Sequence, residues 1–421
     1  MHVSIKKELL VQTLAHANRI IEKRQASPVF GCVLLEANRD YIKVTATNMD
    51  MTIIDTINFS PVDCIIDEPG VYCLPVSLLY DITKKFSNNS NIILQNNVEK
   101  DVIQIKNNKA TFDIHYINSE HFPPLELVNN TDDYMEFSMR VEDLKYSLDT
   151  VRVAMSQDII RTQLNGVYIH YSEKDDTLRF VATDLFRISC VSIKSPENAC
   201  NIKPIIISKK TVVELLHMLS DIDKDDRVNI KINEKQIIVE ANINEGITSI
   251  YTSRLVNGSF PEYTTALEIR NDKVLIIGVK ELVAAIDRVD TIVSDISNSI
   301  QLSISNDKLI ISGISKELGS AVEELDCIYS NITYNNDIKS NEDENNIITS
   351  EYDHNASNTE VFQICFNSKY FLELIKQINT KEVYIYFNTN VSPTIIKPDP
   401  NKISSNLSLV SVIMPVEIIK S

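Results

Sequence analysis

The chain has 421 residues, 43% of them hydrophobic, with 41 Lys and Arg against 58 Asp and Glu and a formal net charge of −17. That length suits about three domains of common size. It contains no run of about 18 apolar residues that would span a bilayer and no apolar leader, so a cytoplasmic protein with no membrane association is expected. Its eight glycines form neither GxGxxG nor GxxxxGK, its seven histidines no HxxxH pair and its seven cysteines no CxxC. Phosphate cradles, metal sites and disulfide frameworks are therefore not expected; neither is any cofactor.

In chain order, the apolar spacing predicts an amphipathic helix within 1–24. Strands follow at 29–35 and 41–54, then a turn at Glu68-Pro69-Gly70 and a second helix at 74–86. Short strands at 92–94, 102–105 and 110–116 lead to Phe122-Pro123-Pro124. The same order then recurs: helix 141–155, strands 166–171 and 178–192, helix 208–220, strands 228–232, 236–242 and 248–255, and Phe260-Pro261-Glu262-Tyr263. A third round runs from Val274, with helices at 278–292 and 366–378, and ends on Met414-Pro415. Leu9, Leu144 and Leu282 align across the rounds at intervals of 135 and 138 residues. Such a period means tandem domains rather than a short-repeat solenoid. The expectation is an α+β chain with antiparallel sheets and three similar domains, 1–128, 129–264 and 265–421. The third carries an acidic, Asn- and Ser-rich insert at about 330–360 that enlarges a hairpin loop.

Charge is unevenly distributed. The six helical stretches carry fifteen Lys and Arg against eleven Asp and Glu, which leaves the remainder of the chain near −21. One basic surface and an acidic outside fit a nucleic-acid partner in spite of the net charge. No residue pattern argues for catalysis; a three-domain enzyme with an unrecognised active site is the alternative.

The segment VATDLFRI at 181–188, preceded by Leu164-Asn165-Gly166 and followed by NGSFPEY at 257–263 and VIMPV at 412–416, resembles the bacterial sliding clamp, the beta subunit of the replicative DNA polymerase. The likeness covers the whole chain apart from the insert. It implies the DNA clamp fold: a ring of two chains joined head to tail, helices lining the hole and antiparallel sheets outside. It implies a non-catalytic processivity factor that encircles double-stranded DNA without reading sequence. The implied partners are the polymerase catalytic subunit, the clamp loader, and other polymerases and repair proteins with clamp-binding motifs, besides a second copy of the chain.

The resemblance also assigns residues. DNA-contacting positions fall on Arg24, Lys84, Arg161, Lys209 and Lys210, with Thr162, Gln163 and Ser77 departing from aromatic or basic neighbours. A hydrophobic peptide pocket takes Leu164, Thr183, Leu185, Phe186, Arg187, Ile188 and Pro261. It is completed by Asn367, Tyr370, Val391, Pro393, Val412, Met414, Pro415 and Val416, with Arg187 and Asn367 expected to hold peptide polar groups. Leu185-Phe186 replaces a small residue plus His, Thr265 and Ser297 replace Arg and an aromatic, and the tail Glu417–Ser421 overruns the family ending. The dimer interface is assigned to Phe112 and Ile114 on one side and Thr291 and Ile292 on the other.

Overall fold

The computed structural model describes residues 1–21, 27–125, 134–293, 298–305, 307–332, 361–402 and 406–417. Arg24, Ser297, the expected linker at 129–133 and nearly all of the 330–360 insert lie outside them. The described chain forms two compact units. Unit 1 takes Met1–Leu148, His170–Asp176 and Ser195–Asn257; unit 2 takes Asp149–Ile169, Thr177–Lys194 and Gly258–Ser421.

Seven α-helices occur among the described residues: α1 (Lys7–Ile20), α2 (Val76–Thr83), α3 (Val141–Val151), α4 (Lys209–Ser220), α5 (Thr264–Leu267), α6 (Val279–Val293) and α7 (Ser368–Ile375). Each of the first helices of the three rounds is entered directly from a strand: His2–Lys6, Met135–Arg140 and Lys273–Gly278. The helix expected over 1–24 is thus shorter, because Val3 and Ile5 alternate into the core as a strand before helical spacing begins. On α6 the buried stripe is Leu282, Ala285, Ile286, Val289 and Val293. Each large aliphatic on it contributes about 1.5–3 kcal/mol on burial. A close helix–sheet approach needs Gly313 on strand Lys308–Ser315, since a Cβ there would stand 2.6 Å from Val293 Cγ1 and 2.9 Å from Val289 Cγ1.

The sheets explain why compact units and sequence rounds differ. In unit 1 the eight-stranded antiparallel sheet runs 135–140, 227–232, 236–244, 247–254, 51–58, 41–47, 32–37, 70–75. Its middle is the ladder of Ile247–Arg254 on Met51–Asn58, from Ile247↔Ile57 to Ser253↔Met51. In unit 2 the equivalent ladder joins Arg187–Lys194 to Leu407–Ile413, from Arg187↔Ile413 to Ile193↔Leu407. Each ladder joins the last strand of one round to the fourth strand of the round before it. A five-stranded sheet ends on Ala110–Ile114 and a four-stranded one on Gly319–Asp326, each paired on one side only among the described residues.

Two single strands of the sequence reading, 41–54 and 178–192, are each two strands with a tight turn between them: Tyr41–Thr47 and Met51–Asn58, and Thr177–Thr183 and Arg187–Lys194. β-branched and apolar residues run through both turns and hide them. The interrupting residues are Asn48 and Asp184, whose side chains cap backbone N–H groups and close each turn.

Among its described residues unit 1 holds a largely buried ionic cluster. His16 on α1 bonds Asp55 Oδ2 through Nδ1 at 2.7 Å and Asp221 Oδ2 through Nε2 at 2.9 Å, and Ser249 donates to Asp55 Oδ1 at 2.6 Å. Burial alone would push the imidazole pKa down. The two carboxylate bonds outweigh it and raise the value to about 9, so both ring nitrogens carry protons at neutral pH. The folded pKa lies above the ordinary 6.5. This contribution to stability is therefore complete below about pH 6.5 and is lost as pH rises through about 9. Equilibrium urea unfolding between pH 6 and 10 should show that loss. His16→Ala, which strands Asp55 without its cation, should cost about 3–5 kcal/mol at pH 7 and remove most of the alkaline slope.

Candidate functional site

The turn at 183–188 is built by its own side chains. Thr183 Oγ1 donates to the Arg187 carbonyl at 2.7 Å and accepts from Leu185 N–H at 3.0 Å. Asp184 Oδ1 accepts from Phe186 N–H and Arg187 N–H, both at 3.0 Å. These bonds hold Leu185 at φ +76°, the left-handed region that costs a branched residue about 1–2 kcal/mol. Leu185 and Phe186 are thereby turned outward, 48% and 62% exposed.

The C-terminal strand lies alongside. Met414 N–H donates to the Phe186 carbonyl at 2.8 Å, placing Met414 next to Phe186. Thr394 pairs with Ile413, so the loop carrying Val391 and Pro393 ends beside Met414. Val391 and Met414 are exposed large hydrophobics, as are Leu185 and Phe186. Val416 N–H reaches the Cys365 carbonyl at 2.9 Å, and Pro415 lies between these anchored positions. Beneath, Val412 and Thr183 are buried, Leu164 is buried at the end of a short 3-10 turn, and Ile188 packs with Phe260 on the Val181–Cys190–Tyr263 cluster. Pro261 follows Phe260, whose ring stacks on Tyr168 at 4.6 Å. In unit 2 the exposed side chains of Leu185, Phe186, Val391 and Met414 thus belong to adjoining segments.

Arg187 and Asn367 are already committed within the chain. The Arg187 guanidinium is 6% exposed, bonded to Asp184 Oδ2 at 3.0 Å and Glu373 Oε2 at 2.6 Å, and lies 4.1 Å from the centre of the Tyr370 ring. Asn367 caps α7, its side-chain oxygen accepting from Tyr370 N–H at 3.0 Å. Arg187 thus ties the turn to α7, and Asn367 holds the start of that helix with its side-chain oxygen. Asp184 and Glu373 were missed in the sequence; Asp184 had a visible signal as a turn former after Thr183, whereas Glu373 sits 186 positions from its partner and had none.

The other assigned residues are dispersed. Lys84 closes α2, paired with Asp81 at 2.6 Å, a bond that raises its pKa, and lies over the Tyr80 ring at 4.8 Å. Arg161 lies 3.8 Å from Asp158. Lys209 and Lys210 occupy the first turn of α4, where the helix dipole disfavours cations by about 0.3–1 kcal/mol each. Phe112 is 41% exposed on the edge strand Ala110–Ile114 and packs on Phe86, centroids 5.9 Å apart. Ile114, on the same strand, is buried within unit 1, so it supports the edge from behind rather than offering an exposed contact. Thr291 is exposed near the end of α6, its hydroxyl bonded to the Asp287 carbonyl, and Ile292 is half-buried.

Family models for the N-terminal, central and C-terminal domains of the DNA polymerase III beta subunit match residues 1–126, 138–262, and 266–335 with 335–417. The chain belongs to the DNA polymerase III beta-subunit family. It is a sliding clamp subunit, a processivity factor and not an enzyme, and its three clamp domains are the three rounds of the sequence. Among relatives, the beta sliding clamp of Caulobacter vibrioides is 25% identical over 398 residues, 94% of this chain and 95% of that one. That of Pseudomonas aeruginosa is 26% identical over 400 residues, 95% and 96% of the two chains. Among solved structures, the clamp of Bartonella birtlesii bound to griselimycin superposes with a TM-score of 0.84 at 26% identity, covering 99% of this chain and all of that one. The Caulobacter crescentus clamp with PEG bound to a putative beta-motif tethering region gives 0.81 at 25%, with the same coverage. No described helix is long and apolar enough to cross a membrane.

Because Asp184 supplies two turn bonds and one side of the Arg187 ion pair, Asp184→Ala should destabilise the clamp chain by about 2–4 kcal/mol in urea unfolding. Asp184→Asn, which keeps an acceptor for the turn, should cost about half as much.

Proposed function

We propose that two copies of this chain close head to tail into a ring that encircles duplex DNA in the cytoplasm, and that the unit 2 lip docks short apolar peptides of its partners. The observation that carries the ring is the pair of open strands. In both continuous ladders the last strand of one round meets the fourth strand of the previous round. By the same rule Ala110–Ile114 and Gly319–Asp326 are complementary, and a second copy joined to each would continue the order. Antiparallel pairing of these edges satisfies backbone groups that otherwise invite aggregation, and two such contacts close the assembly.

A ring retains DNA by topology, so phosphate contacts suffice and base readout is unnecessary. Lys84, Arg161, Lys209 and Lys210 are the described candidates for those contacts, joined by Arg24. The two lysines at the start of α4 oppose their own helix dipole, a local cost that a phosphate-facing role accounts for. The partners proposed for the lip formed by Leu185, Phe186, Val391 and Met414 are the polymerase catalytic subunit, the clamp loader, and other polymerases and repair proteins. An aromatic or leucine anchor buried there makes a hot spot of about 2 kcal/mol or more.

Loaded onto nicked circular DNA, the protein should remain through a gel-filtration column, and linearising the circle should release it; equal retention on both forms refutes the ring. Phe112→Asp and Val322→Asp, which place a charge on either open edge, should each weaken the dimer at least about tenfold in analytical ultracentrifugation. Removing residues 414–421 should abolish binding of a polymerase-derived peptide in fluorescence anisotropy while leaving the dimer intact. Full peptide affinity in that truncation would refute the pocket.

A further inference from the structure

Each round repeats one arrangement of first helix and fourth strand. The tenth residue of the helix is His16 on α1, Thr150 on α3 and Arg288 on α6. The fifth of eight residues in the strand is Asp55 in Met51–Asn58, Val191 in Arg187–Lys194 and Glu323 in Gly319–Asp326. In the first round these positions form the His16–Asp55 ion pair at 2.7 Å. In the third they form another: Arg288 donates from Nε to Glu323 Oε1 at 2.7 Å and from Nη2 to Oε2 at 3.0 Å. In the second, Thr150 and Val191 are buried and carry no charge.

The ladders repeat as well. In both continuous junctions the third residue of the last strand stands opposite the fifth of the fourth strand: Ser249 opposite Asp55, and Leu409 opposite Val191. The third residue of Ala110–Ile114 is Phe112, so the same register sets Phe112 against Glu323. Exposure marks where the covering strand is absent. The His16 and Asp55 side chains are 2% and 1% exposed beneath their closed ladder, whereas those of Arg288 and Glu323 are 57% and 29% exposed at the open edge. A guanidinium can take an aromatic ring on its flat face while its edge keeps both carboxylate bonds, so Phe112 suits the place opposite.

We propose that two copies join in the register that sets Phe112 of one against Glu323 of the other, and that the Arg288–Glu323 pair beneath this contact decides how tightly they hold. This rests on reading the chain as half of a closed ring. Left on a free surface, such a pair contributes little. Covered by a second copy it becomes costly to break, because truncating one member leaves the other's charge out of water and without a partner. The second round shows the other solution, an uncharged pair in the same place.

Analytical ultracentrifugation of the full chain tests the pair. Arg288→Ala and Glu323→Ala should each weaken the dimer at least about tenfold. Arg288→Thr with Glu323→Val, which installs the residues of the second round, should bring the dissociation constant back to within about threefold of the original. Far-ultraviolet circular dichroism of every variant should match that of the unaltered chain, which separates a lost junction from a lost fold. The register is read by disulfides between copies in a Cys200→Ser background, since Cys200 is the exposed thiol among the described residues. With Phe112 opposite Glu323, Val322 falls opposite Asp113. Val322→Cys with Asp113→Cys should therefore cross-link two copies faster than Val322→Cys with Thr111→Cys or with His115→Cys, each of which reports a slip of two residues. Unchanged affinity in both alanine variants, with the unaltered chain dimeric, overturns the role of the pair and leaves the ring standing. A faster disulfide at Thr111 or His115 overturns the register. An unaltered chain that stays monomeric at micromolar concentration overturns the ring and this inference with it.

Discussion

The constraint on which the rest depends is that the fourth strand of a round is continued by the last strand of the next round. Backbone N–H and C=O groups along Met51–Asn58 and Arg187–Lys194 are satisfied by strands nearly two hundred residues away or more, Ile247–Arg254 and Leu407–Ile413. The rounds of the sequence are therefore not independent bodies. Each lends a strand set to its neighbour, and the compact units cut across them. Among the described residues the same rule leaves Ala110–Ile114 and Gly319–Asp326 without the partner their order calls for, and from that follows the proposal that a second copy is part of the working molecule.

Much of the architecture was legible because duplication wrote it three times. The stripe headed by Leu9, Leu144 and Leu282 recurs as α1, α3 and α6, and Leu10, Leu148 and Ile286 are buried in those helices. The first strand of each round escaped notice, and in the first round its five alternating residues, abutting an amphipathic helix, read as the start of that helix. The turns at Asn48 and Asp184 escaped for a different reason: the residues around them, VTATNMDMTI and VATDLFRI, have the apolar, β-branched content of a strand. One polar side chain each redirects the backbone there, and a single residue carries little weight in any periodicity.

The candidate site divides in the same way. Its apolar members could be placed on a resemblance, but their roles could not. Arg187 was assigned to face a ligand; its ion pairs with Asp184 and Glu373 and its packing on Tyr370 make it the clamp that binds the turn to α7. A burial of 6% with two carboxylate partners is a structural position for an arginine, since an unpaired cation there would be costly. Leu185 shows the converse. A branched side chain at φ +76° is held against its preference, and the holding bonds are local and few. The strain goes with the exposure: the turn that disfavours Leu185 in its backbone is the turn that points it at solvent.

The ladder between Ile247–Arg254 and Met51–Asn58 has a consequence for the order in which the molecule is made. At a synthesis rate of about 5–20 residues per second, residues 51–58 leave the ribosome roughly 10–40 s before their partner strand exists. Through that interval the nascent chain carries an open, apolar strand edge with Ile53, Ile54 and Ile57 upon it, and only residues still to be synthesised can cover it. The interval in which an uncovered edge invites wrong pairing is thus built into the shared sheet, and it falls on the N-terminal round before any other.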